Sequence, residues 1–298
     1  MGSFAEIKCR LCGSTEYDII DTKIAGAPEA AVYQCKVCTL VYLFPIMTEE
    51  EEAAFYQNEF EIYMGGRAGL SWKSPHQHFY SYQAEGERRL PLVRPYLHQT
   101  DSVLEIGSST GYFLDYLRGY VKSVIGIEPS DIYRSFANER GLVTLSTLDE
   151  LGDQRFEVIA LYYVVEHLRH PVEYLSRLQS RLKTGGRVLL EVPNVDDVLL
   201  SRYHIPGFAP FYWQKAHYHN FSHRTLGDVL RRAGYTYELF SVQRYDLSNH
   251  MVWMMEGKPG GMGRYKEFFT PELEIAYAEA LKAKWLCDTI FAVATLQP

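Results

Sequence analysis

From about residue 86 onward, short apolar runs alternate with longer stretches in which apolar positions recur every three or four residues. Ser102-Val-Leu-Glu-Ile106, Ser123 to Ile127, Phe156 to Tyr163 and Arg187 to Val192 carry the short, β-branched-rich runs of buried strands. Between them, Tyr112 to Tyr120, Ser130 to Arg140 and Val172 to Leu182 carry helical spacing. Gly141 closes the second helix, and Lys183-Thr-Gly-Gly186 is the expected stop for the third. Strands separated by helices of this length predict an α/β fold with a doubly wound, mostly parallel sheet. Beyond it, Tyr235 to Val242 reads as a strand with an exposed continuation through Gln243–His250, residues 271–287 as a helix, and Thr289 to Thr295 as a closing strand. Upstream the pattern differs. Val41-Tyr-Leu-Phe-Pro45 is strand-like, Thr48 to Tyr56 is an acidic helical stretch, and residues 57–85 are rich in Tyr, Gly, Ser and His. The chain therefore divides into residues 1–45, an aromatic-rich lid or linker over 46–85, and a main domain with a C-terminal extension over 86–298.

Composition narrows the class. With 47% hydrophobic residues the chain can build a core and is not globally disordered. Thirty Lys plus Arg against 37 Asp plus Glu leave a formal charge of −7, which argues against gripping nucleic acid by charge alone. The longest apolar run, Val158 to Val165, is far shorter than the roughly 20 residues of a membrane helix. Met1-Gly2-Ser3 opens no signal sequence. The expectation is a soluble, cytoplasmic protein with no membrane insertion.

Four of the 5 cysteines fall as Cys9-Arg-Leu-Cys12 and Cys35-Lys-Val-Cys38. The two-residue gap lets a tight turn aim two thiolates at one tetrahedral ion, and Gly13 suits the left-handed backbone of such a knuckle. Without a secretion signal, disulfides fit poorly. Residues 1–45 are expected to form a small zinc ribbon in which Cys9, Cys12, Cys35 and Cys38 hold a structural Zn2+. Four thiolates close the shell, so the ion serves folding. Cys287 is expected to be a packed small hydrophobe.

The segment Glu105-Ile-Gly107-Ser-Ser-Thr-Gly111 follows a strand and opens a helix, where sharp turning and close ligand approach favour glycine. Glu128 ends the next strand, about 20 residues later, where a carboxylate can accept hydrogen bonds from a ribose diol. These residues resemble the first motifs of the class I S-adenosylmethionine-dependent methyltransferases, a Rossmann-like fold. Ser109 replaces their middle glycine. Val165-Glu166-His167-Leu168 with Pro171 resembles the end of the family's fourth strand. The resemblance covers roughly residues 86–240. It implies S-adenosylmethionine as cofactor, with Gly107 and Gly111 against its methionine part, Glu128 on the ribose, Glu105 behind the loop or on the amino group, and Asp149 with Thr147 and Leu148 near the adenine.

Trp213-Gln-Lys-Ala-His217-Tyr-His219-Asn-Phe-Ser222 is similar to a motif of deoxysugar C-methyltransferases that carry an N-terminal zinc ribbon. That resemblance implies that His167 and His217 line the active site as candidate catalytic bases. Ala216 and Gln214 stand where those enzymes have glutamate and tyrosine, which shifts the expected acceptor from carbon to hydroxyl oxygen. Aromatic side chains with polar tips suit sugar faces. Tyr63, Arg67 and Trp213 are the picks for substrate contact, Arg67 toward a phosphate, with Arg244, Asn249 and His250 from the C-terminal extension. Gly65-Gly66 is a candidate hinge. The expected function is methyl transfer to a sugar hydroxyl on a small sugar, nucleotide-sugar or glycan, with a histidine base and no nucleic-acid partner. The alternatives are a sugar C-methyltransferase, an RNA methyltransferase whose ribbon grips RNA, and a non-catalytic binding module.

Overall fold

The structure is a computed structural model that describes residues 6–67 and 74–296. Among the described residues, eleven strands form two sheets. The small one is antiparallel. It holds β1 (Tyr17–Asp21), β2 (Ala31–Cys35), β3 (Val41–Phe44) and the two-residue β9 (His219–Asn220), in the order β1-β2-β3-β9. The large sheet runs β10-β11-β8-β7-β4-β5-β6. Its members are β4 (Ser102–Ile106), β5 (Ser123–Ile127), β6 (Val143–Leu145), β7 (Phe156–Tyr162), β8 (Leu182–Pro193), β10 (Tyr235–Val242) and β11 (Thr289–Leu296). Strands β4 to β8 are mutually parallel, whereas β11 pairs antiparallel with both β8 and β10. The predicted Rossmann-like α/β fold is observed. Val158, Ile159, Leu161, Val188 and Leu190 are fully buried, as expected for central parallel strands covered by helices on both faces.

Sequence and structure part at several boundaries. The helix after β7 is Pro171–Leu178, and residues 179–181 tighten into a 3-10 turn, so Lys183-Thr-Gly-Gly186 lies inside the extended segment of β8 and is not the helix stop. Gln243–His250 does not continue β10. Asp246 caps a helix over Leu247–Glu256 by accepting from the backbone N–H of Asn249 at 2.8 Å, so Asn249 and His250 are helical. The acidic stretch is a helix over Glu49–Ala54 with a Thr48/Glu51 capping box, running through a π-turn at Phe55–Glu59 into Phe60–Arg67. Gly65 and Gly66 sit within that last helix.

The cysteine-bearing N-terminal segment is stitched to the rest of the chain. Val41 pairs with Asn220 and Tyr42 with His219, and Leu11, Tyr33, Leu40 and Tyr42 share one apolar cluster with Val165, Phe221 and Leu226. Among the described residues, no helix is long and apolar enough to cross a membrane.

Candidate active site

The carboxyl ends of β4, β5, β7 and β8 open into one cleft of about 1310 Å3. Open α/β sheets bind ligands at these ends. Gly107 turns the chain out of β4 with φ 72°, and its N–H donates to the Ile127 carbonyl at 2.8 Å. A side chain there would meet Val164 Cγ2 at 2.5 Å, so both the backbone and the space call for glycine. Ser109 adopts φ 51° in the same loop without being glycine, and Tyr163 does so after β7 with φ 58°. Backbone strain of this kind gathers at functional sites.

Glu128 faces the loop. Its carboxylate accepts from the N–H groups of Ser109 and Ser130, each at 2.8 Å. Burial pushes its pKa up to about 7, against the pull of those two N–H groups. Glu105 is buried, and its Oε2 has no partner among the described residues. Burial raises its pKa to about 8, with Arg89 pulling it down and Glu128 adding to the rise. A buried acceptor with an unused oxygen beside a tight glycine turn fits a ligand that brings hydroxyl or ammonium donors. Asp149, exposed on the turn Leu148–Leu151, lines the same cleft. Gly111 does not line it; it opens the helix Tyr112–Leu117 behind the loop.

The opposite wall is aromatic and imidazole-rich. His167 and His217 meet edge to face with ring centroids 4.8 Å apart. Tyr56 Oη lies 3.0 Å from His167 Nδ1, and Gln214 Nε2 lies 2.9 Å from His217 Nε2. Burial lowers the His167 pKa to about 4, so its ring is neutral near pH 7. Glu166, beside it, is buried with only His167 at 4.0 Å and its own backbone N–H near its carboxylate among the described residues, and burial raises its pKa to about 8. Tyr56, Phe60, Phe208, Phe211, Tyr212 and Trp253 complete the wall.

A charged floor supports both walls. Glu191 is fully buried between Arg88 at 2.9 Å and Arg89 at 2.6 Å. Burial alone would raise its pKa, but the two guanidinium groups outweigh it and hold the carboxyl below its usual range. Arg244 reaches the cleft, pairs with Glu85 at 2.9 Å and lies over the Tyr163 ring. Asn249 lines the cleft beside it.

Not every predicted contact converges here. Tyr63 turns away from the cleft, donates to the Ala25 carbonyl at 3.1 Å and packs on Phe55. Trp213 is 3% exposed and packs edge to face on Tyr212, outside the lining. Both are packing residues, because aromatic exposure depends on contacts distant in sequence. The Arg67 side chain lies outside the described residues. Tyr56 and Glu166 are the residues that sequence reasoning passed over as site members. Glu166 adjoins His167 in the quoted motif, whereas nothing in the sequence distinguishes Tyr56 from its aromatic neighbours.

The four cysteines of the ribbon converge. Cys9 and Cys38 Sγ are 3.4 Å apart, Cys12 and Cys35 Sγ 3.5 Å, and all four lie within 4.8 Å of one another. Thiolates around a tetrahedral zinc with bonds of about 2.3 Å sit about 3.8 Å apart, so the donor set and its spacing fit that ion. Gly13 takes φ 76° in the first knuckle.

Residues 76–239, more than half of the chain, match the methyltransferase domain family. The chain belongs to that family. Its matched segment is a methyltransferase domain. Among solved structures, a SAM-dependent methyltransferase from Archaeoglobus fulgidus aligns with a TM-score of 0.51 at 18% identity, covering 79% of this chain and 99% of that one. A chain of the Haloferax volcanii complex between the Trm112 methyltransferase activator and a methyltransferase also reaches 0.51, at 17% identity over 82% of this chain and 98% of that one. Both establish the fold alone. The tRNA U34 carboxymethyltransferase of Pseudoalteromonas translucida is 32% identical over 117 residues, 35% of each chain. That of Dichelobacter nodosus is 29% identical over 103 residues, 32% of this chain and 33% of that enzyme. The chain spans about a third of the length of these curated relatives. They overturn the expected sugar acceptor, and with it the expectation of no nucleic-acid partner, because they are named for tRNA and not for carbohydrate. The motif behind the sugar expectation is short and already broken at Gln214 and Ala216, and a net charge describes a whole surface, not one cleft.

Proposed function

We propose that this enzyme transfers a methyl-type group from an S-adenosylmethionine donor to a nucleoside of RNA, and that Cys9, Cys12, Cys35 and Cys38 bind a structural zinc. The zinc reading rests on the convergence of four thiols. The acceptor reading rests on the chamber facing the donor cradle, taken with the names of the curated relatives. Its aromatic faces can stack an extruded base, and Arg244 and Asn249 offer polar contacts at its edge.

When bound, the donor supplies an electrophilic carbon on a sulfonium. Gly107 would lie against its methionine part, Glu128 would hold its ribose, Glu105 its amino group, and Asp149 the region of its adenine. The chain's remaining work is alignment, which can contribute several kcal/mol by itself. His167 and His217 line the same cleft and would face the acceptor.

Among the described residues, Lys215 pairs with Glu59 and Arg169 with Glu52, and cations already paired with carboxylates contribute less to phosphate binding, so a shallow salt dependence of RNA binding is expected. The test is incubation with isotopically labelled S-adenosylmethionine and bulk tRNA, followed by nucleoside mass spectrometry. A labelled nucleoside that disappears in His217→Ala supports the proposal. A chain that binds S-adenosylhomocysteine yet leaves all RNA unlabelled removes the acceptor reading.

A further inference from the structure

Glu166, His167 and His217 each bring one ligand atom to a common point, all within 4.8 Å of one another. His167 Nε2 and Glu166 Oε1 are 4.0 Å apart. Two imidazoles and a carboxylate form a donor set suited to divalent first-row transition metals, and a modest inward movement of the side chains would bring all three to bonding distance. A second observation concerns burial. The Glu166 side chain is 1% exposed, and apart from His167 at 4.0 Å and its own backbone N–H its oxygens face no partner among the described residues. A carboxylate is seldom buried in that way without an ion or a hydrogen-bond donor to satisfy it. A third is the hydrogen bond between Tyr56 Oη and His167 Nδ1 at 3.0 Å, the outer contact that typically fixes the orientation of a metal-bound imidazole.

We propose that Glu166, His167 and His217 bind one divalent transition-metal ion in the acceptor half of the cleft, separate from the ribbon zinc. Three protein ligands leave coordination positions open toward the cleft, where an acceptor oxygen or ring nitrogen can bind. An acceptor held there loses its proton to water more readily, because the ion stabilises the resulting anion. A nitrogen bound to the ion cannot also take that proton, so the histidine pair acts here as ligands. The inference rests on the reading of this wall as the acceptor side, and its test is independent of turnover.

The probe is Mn2+, a hard ion that thiolates bind poorly, titrated into the zinc-loaded chain and followed by calorimetry and electron paramagnetic resonance. One Mn2+ per chain is expected. Glu166→Gln and His217→Ala should each weaken it by about 100-fold and Tyr56→Phe by about 10-fold, with S-adenosylhomocysteine binding retained in all three as the check on folding. Co2+ loading adds a spectroscopic arm: the second ion should show ligand-field bands without sulfur charge transfer. Absence of any uptake beyond the ribbon, or uptake that none of the three variants changes, overturns the proposal. A chain that binds Mn2+ at these residues but modifies no RNA supports this inference and removes the acceptor reading alone.

Discussion

Gly107→Ala tests the donor cradle at its tightest point. The native residue has φ 72°, a region that costs an alanine about 1 kcal/mol relative to glycine. The added Cβ would stand 2.5 Å from Val164 Cγ2, where carbon atoms rest at about 3.5–4.0 Å. Valine is stiff about χ1 and cannot swing its methyl aside cheaply. Overpacking of this kind costs about 1–3 kcal/mol, so the total is about 2–4 kcal/mol if the loop stays in place. If the loop moves instead, the same energy is lost from donor binding, and 2 kcal/mol corresponds to about 30-fold in affinity. Urea unfolding reads the first outcome, and calorimetry with S-adenosylhomocysteine reads the second. The double variant Gly107→Ala/Val164→Ala should recover the steric part and leave the backbone part. A Gly107→Ala chain with wild-type stability and wild-type affinity would refute the reasoning.

Four further outcomes follow from the same geometry. Glu128→Gln keeps the volume but removes a charged acceptor, and S-adenosylhomocysteine should bind about 10-fold or more weakly by calorimetry. Glu105 and Glu128 have folded pKa values raised to about 8 and about 7; their contribution is complete below the unfolded carboxylate range and is lost as pH rises through those values. His78 and His250 are lowered to about 4 by burial, so their contribution is complete above the unfolded value near 6.5 and is lost only on acidification. The melting temperature of the ligand-free chain should therefore fall between about pH 6.5 and 8.5, and Glu128→Gln should flatten part of that fall. Cys9→Ser should release zinc, measurable with a chromogenic chelator, and lower the melting temperature of the whole chain because β3 is paired to β9. His217→Ala should lower turnover about 100-fold with donor affinity intact, read by label transfer and calorimetry.

The strands β4, β5 and β7, the glycine loop and Glu128 are legible in the sequence because each is local: a short apolar run, a turn that needs glycine, a carboxylate one strand later. The cysteine pairs are legible for the same reason. What hides from the sequence is set by distant contacts. The pairing of β3 with β9 joins residues far apart in the chain, and nothing near His219 announces a strand. Tyr63 and Trp213 share the composition of substrate-contacting aromatics, yet packing turns both away from the cleft, while Tyr56 from the same helical segment reaches His167. The helix over Leu247–Glu256 carried a readable signal, the Asp246 cap, that the polar character of Gln243–His250 obscured. The acceptor was misjudged from a short motif already altered at two positions.

The most direct measurement is a crystal structure with S-adenosylhomocysteine. Ribose hydroxyls within hydrogen-bonding distance of Glu128, with the sulfur turned toward His167 and His217, is the predicted result. A ligand lodged elsewhere, or one whose sulfur faces away from both imidazoles, would contradict the assignment of this cleft.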